Sequence, residues 1–104
     1  MQLPSEFKCA GNTIKVQLVE KTHTNNYGNW CDVTNTITRA KTRELEDKTV
    51  VRLTEDQITN TFWHELIHCF QFYFDNSYSE AQSQVYANFM CEYFESITSD
   101  DEFA

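Results

Sequence analysis

The hydrophobic pattern of this chain changes period at Thr54, and that switch limits the possible folds more than any other feature. Before it, short β-branched runs dominate. Ile14, Val16 and Leu18 alternate within residues 13–20 and fall on one face of a half-buried strand. Residues 21–29 (KTHTNNYGN) read as a loop, residues 32–35 as a turn between two short strands, and residues 48–53 (KTVVRL) as a further strand. After the switch, apolar residues recur every three to four positions. Ile58, Phe62, Leu66, Phe70 and Phe74 form a stripe that Trp63 and Ile67 widen. TEDQ at 54–57 supplies a capping box, with Thr54 as N-cap and Gln57 reaching back, and Glu55 and Asp56 suit the positive end of a helix. A break follows. A second helix then starts at Ser77 or Ser79, with Val85, Phe89 and Tyr93 at helical spacing beside Tyr86, Met90, Phe94 and Ile97.

The expectation is therefore one α+β domain over residues 1–104. It has an N-terminal arm (1–12), a small and mostly antiparallel sheet (13–53), a first helix (54–75), a second helix packed on it (77–97) and a loose tail (98–104). A chain of 104 residues buries only a modest core, so the aromatic stripes are expected to be spent on it.

Charge narrows the partners. The net charge of −8 argues against nucleic acid and against anionic membrane surfaces, both of which select basic patches. No apolar run reaches transmembrane length. The four cysteines, Cys9, Cys31, Cys69 and Cys91, include no CxxC pair, and residues 1–7 lack the basic and apolar regions of a signal peptide. A cytoplasmic protein with free thiols is the expectation, and a processed, secreted form with two disulfides is the alternative.

Residues 61–70, TFWHELIHCF, carry the chemistry. Side chains at i and i+4 of a helix project from nearly one face, so His64 and His68 can bind one Zn²⁺ between them. Glu65, one step around, can take a proton from a water activated by that metal. The motif lies inside the best-defined helix of the chain, as this chemistry requires. The bland alternative is an amphipathic helix with two histidines at the edge of the core.

A catalytic zinc needs a third protein ligand and an open position. The metzincin extension would place Gly at 71 and His at 74; the chain has Gln71 and Phe74, which excludes it. Glu80 is the best third ligand, because it falls in the first turn of the second helix at the edge of the apolar face, beside Gln84, Ala87 and Cys91. Asp75, Glu92 and His23 are the alternatives. Tyr27, Tyr78 and Tyr86 are each candidates to donate a hydroxyl to the scissile carbonyl. Cys69 reads as a small buried residue, and Cys9 as a remote candidate for a zinc-binding latency switch.

A small sheet, then TFWHELIHCF, a short reversal and SEAQSQVYANFMCEYF resembles the compact HExxH proteins of the gluzincin clan, among them minigluzincins and small HExxH proteins of phages and prophages. The resemblance spans residues 27–97, and its specific part is residues 61–70. It implies a zincin-like fold and a Zn²⁺-dependent metallopeptidase acting on a peptide or protein substrate. It gives His64, His68 and Glu80 as metal ligands and Glu65 as general base. Only eleven residues separate His68 from Glu80, shorter than in larger gluzincins. The resemblance also implies that a terminal segment can cover the metal, and the acidic stretch 99–103 is the segment available. A non-catalytic zincin-like protein that binds a host or phage protein is the alternative function.

Overall fold

The computed structural model describes residues 3–75 and 79–97, with only the backbone of Asp75. Six strands come first: β1 (Glu6–Cys9), β2 (Asn12–Val19), β3 (Gly28–Cys31), β4 (Thr36–Ala40), β5 (Thr42–Glu44) and β6 (Val50–Arg52). Helix α1 (Glu55–Phe70) runs into a single π-helical turn, Gln71–Asp75, and α2 (Glu80–Ile97) follows. The fold is α+β with a small mixed sheet and two helices, as the change of period requires.

Strands β1 to β4 form one sheet in the order β1-β2-β4-β3, and β5 and β6 form a separate hairpin. β1–β2, β3–β4 and β5–β6 are antiparallel, whereas the central pair β2–β4 is parallel, with Val16 opposite Ile37. This parallel pair was not legible in the sequence. The chain leaves β2, crosses to the far edge as β3, and returns through the 32–35 turn as β4 between them. Buried on one face, Ile14, Val16 and Ile37 meet Phe62, Trp63 and Cys69 of α1 and Ala87 of α2 in one core.

The expected arm over residues 1–12 instead contains a strand, β1, at 6–9. The residues between β1 and β2, Ala10 and Gly11, both have positive φ (51° and 81°). That is the backbone of a two-residue type I′ hairpin, whose twist matches the strands it joins. An alanine in the first of these positions hides the signal that Asn-Gly would have given.

The capping box at α1 forms as expected. The Thr54 hydroxyl accepts from Gln57 N at 3.1 Å, and Gln57 Oε1 accepts from Thr54 N at 2.8 Å. The apolar stripes, in contrast, are only partly used. Phe62 and Trp63 are buried, but Leu18, Phe70 and Phe74 are exposed. On α2 the expected core stripe Val85, Phe89 and Tyr93 faces outward, at 69, 61 and 46% exposure. The fully buried residues of that helix are Ser83 and Ala87, with Tyr86, Met90, Cys91 and Phe94 packed partly against the core. Small side chains let two helix backbones approach, so the face chosen by the site is not the most apolar one.

Candidate metal centre

α1 and α2 run antiparallel, and their facing polar residues build the site. His64 and His68 stand one turn apart on α1, with ring centroids 4.9 Å apart and planes at 75°. Their Nε2 atoms approach to 3.2 Å. Glu80, the first residue of α2, reaches into the same gap. Its Oε1 lies 2.9 Å from His68 Nε2 and its Oε2 lies 3.0 Å from His64 Nε2. Ser79 sets that position by capping the helix, its hydroxyl accepting from Gln82 N at 3.2 Å.

These residues could hold a metal ion: the ligating atoms of His64, His68 and Glu80 all lie within 4.8 Å of one another. Bond lengths of about 2.0–2.1 Å around a tetrahedral ion give donor–donor edges of about 3.3–3.4 Å. The observed separations of 2.9–3.2 Å fall a few tenths short of that, so little movement would admit an ion. Two imidazoles and a carboxylate suit a borderline dication.

The outer nitrogens are also engaged. Gln84 Oε1 lies 3.0 Å from His64 Nδ1. Gln71 Oε1 lies 3.2 Å and Ser83 Oγ 3.3 Å from His68 Nδ1. Gln71 opens the π-helical turn, a widened geometry that often accompanies functional sites.

A cleft of about 800 Å³ gives access to the three donors. Tyr27, Trp30, Asp56, Asn60, Thr61 and Glu65 are among the residues that line it. Glu65 is buried in its wall. Burial pushes its carboxyl up to about 7; the charge of His64 opposes the rise, and that of Glu80 adds to it. A divalent cation on the neighbouring donors would oppose it further. Strand β3 borders the cleft as an edge of the sheet. A Cβ at Gly28 would overlap the Thr38 carbonyl oxygen, well short of van der Waals contact distance, and meet Thr61 Cγ2 at 2.6 Å. Glycine there lets β3 and α1 touch, one turn before His64.

Of the residues singled out in the sequence, His64, Glu65, His68 and Glu80 come together. His23 is exposed in the loop before β3 and Glu92 is exposed well along α2, and neither joins the group. Tyr27 borders the cleft, whereas Tyr86 lines a separate apolar groove with Phe7, Cys9 and Leu66. Tyr78, the side chain of Asp75, Ser77 as a helix start and the tail 98–104 lie outside the described residues. Cys9 lies against buried Cys69, not among the metal-site donors, and burial pushes the Cys69 thiol up to about 12 with Cys9 adding to the effect. All four cysteines are free. No described helix is long and apolar enough to cross a membrane.

Sequence reasoning missed Asn60, Asn88 and the roles of Gln71 and Gln84. A signal was present: Asn60, His64 and His68 recur at four-residue spacing on α1, and Glu80, Gln84 and Asn88 do so on α2. Two polar stripes inside otherwise aromatic helices are the mark of a polar seam between them.

Comparison with protein-family models, with curated proteins and with solved structures finds no match to this chain.

Proposed function

We propose that this chain is a zinc-dependent metallopeptidase of compact gluzincin type, with a zincin-like fold. The observation that carries the reading is the convergence of His64 Nε2, His68 Nε2 and the Glu80 carboxylate on one point in a cleft that Glu65 also lines. Zn²⁺ held by these three residues would supply Lewis-acid polarisation of a carbonyl and a lowered pKa for water. The remaining work belongs to the protein's own groups. Glu65 takes the proton of the attacking water and returns it to the leaving amine. β3, with one edge unpaired among the described residues, offers backbone groups to an extended peptide laid along the cleft. Tyr27 is the described tyrosine near enough to the cleft to donate to the substrate. The described lining includes the carboxylates of Asp56, Glu65 and Glu80 and no lysine or arginine, which favours neutral or basic peptides. Four free thiols fit a reducing, cytoplasmic setting.

A second reading, a non-catalytic protein that binds a protein partner on the same scaffold, is favoured by the exposed Val85–Phe89–Tyr93 face. Glu65→Gln separates the two. With metal content and melting temperature unchanged, hydrolysis of a peptide library should fall by about 10²–10⁴-fold. Full peptidase activity in that variant would rule out the general-base role. A wild type that holds zinc and cleaves nothing would leave the binding reading.

A further inference from the structure

The Nδ1 side of His64 is built with more care than packing alone requires. Gln84 presents its Oε1 to that nitrogen at 3.0 Å. Its own NH₂ group is committed elsewhere: Nε2 lies 3.0 Å from Asn60 Oδ1 and 3.0 Å from Asn88 Oδ1. Asn60 is oriented in turn, its Nδ2 donating to Asn88 Oδ1 at 3.1 Å and to Cys91 Sγ at 3.6 Å. In this arrangement the amide donors of Gln84 and Asn60 all meet acceptors, and the oxygen of Gln84 faces the imidazole.

We propose that Gln84, clamped by Asn60 and Asn88, is a positioning residue that fixes His64 with its proton on Nδ1 and its Nε2 lone pair turned to the metal position. The inference rests on the metal reading of the site. An acceptor facing Nδ1 demands a proton there. A neutral imidazole has only one, so a dication standing between His64 Nε2 and the Glu80 carboxylate would meet a bare Nε2. The reverse amide orientation would put the proton on Nε2 and remove a ligand. His68 is an internal control. Its Nδ1 faces Gln71 Oε1 and the Ser83 hydroxyl, whose hydrogen is given to the Ser79 carbonyl at 2.8 Å, so its tautomer is set without Gln84. The clamp also joins the helices, since Asn60 belongs to α1 and Gln84 and Asn88 to α2. Ring orientation and helix spacing are thus fixed by the same three amides.

The test is a competition titration of Zn²⁺ against a chromophoric chelator, on the full chain as wild type, Gln84→Met, Gln84→Glu and Asn60→Leu. Imidazole ¹⁵N–¹H spectra of the zinc-loaded proteins accompany it. Gln84→Met keeps the bulk and loses the acceptor. Its affinity should fall by about 10–100-fold, and the slowly exchanging His64 Nδ1–H should be lost while that of His68 stays. Gln84→Glu keeps an acceptor but gives up the two donations to Asn60 and Asn88, so it should retain the proton signal and lose less affinity than Gln84→Met. Asn60→Leu releases the clamp without touching a histidine and should lose affinity in the same direction, but less. Wild-type affinity in both Gln84→Met and Asn60→Leu overturns this inference alone. A wild type that takes up no zinc overturns the metal reading and this inference with it.

Discussion

The seam between α1 and α2 has two sides built on different physics. On the cleft side, Asn60, His64 and His68 face Glu80, Gln84 and Asn88 through directional bonds of 2.9–3.1 Å. On the core side, Trp63 stacks on Phe94 with ring centroids 5.1 Å apart and planes at 9°, and meets Phe62 edge-on at 4.9 Å. Between them lie Ser83 and Ala87, small and fully buried. Hydrogen bonds to exposed groups contribute little net stability, because water competes for them. Aromatic burial contributes much and tolerates sliding. The core side therefore supplies the free energy, and the cleft side uses it to hold donor atoms in register.

Trp63→Ala should break this division most severely. Truncating a buried aromatic costs about 3–5 kcal/mol. The lower end is expected here, because the Trp63 indole N–H is buried without a hydrogen-bond partner among the described residues and its removal recovers that cost. Chemical denaturation checks it. A loss under about 1 kcal/mol would mean that the polar side carries the helix pair after all.

Gly28→Ala tests how the cleft side is tied to the sheet. The added methyl collides with backbone at Thr38 and with Thr61 of α1, so β3 must move. A loss of about 1–3 kcal/mol is expected, and it should be accompanied by weaker zinc uptake because Thr61 lies one turn from His64. Unchanged stability and zinc affinity together would show that β3 and α1 are not coupled there.

On the outer face of α2, Val85→Ser with Phe89→Ser should change stability by no more than about 0.5 kcal/mol, since both side chains are exposed. A loss comparable to that of Trp63→Ala would mean that this face is covered in solution.

That outer face also shows where the sequence could be read and where it could not. The capping box and the His64–Glu65–His68 spacing are local, so residue order alone reveals them, and Glu80 follows from helix geometry plus a short reversal. The mistaken stripe has a different origin. Val85, Phe89 and Tyr93 share a face by periodicity, but periodicity does not say which face another helix will need. Close approach at the site selected Ser83 and Ala87. The parallel β2–β4 pairing depends on a crossover through β3, a non-local choice that leaves no mark in either strand. The roles of Gln71 and Gln84 emerge only when a π-helical turn and a second helix bring them to the histidines.

The smallest expected effect lies away from both sides of the seam. In β5, a hydrogen bond and the charge of Lys21, at 2.7 Å, hold the Glu44 carboxyl below its usual value of 4.5, with a lesser contribution from Lys48. A carboxyl whose folded value is depressed contributes stability that is full above its unfolded value. The contribution drains away as pH falls from 4.5 through the lowered folded value. Glu44→Gln should therefore lower stability slightly at neutral pH and run parallel to wild type once both are strongly acidified. Because the pair is near the surface, added salt should shrink the difference. Denaturation midpoints of the two proteins across that acid limb give the answer. If their difference were constant with pH, the Lys21–Glu44 pair would contribute nothing through its charge, and the two bonds between the Asn25 side-chain amide and the Glu44 backbone would be what anchors the hairpin.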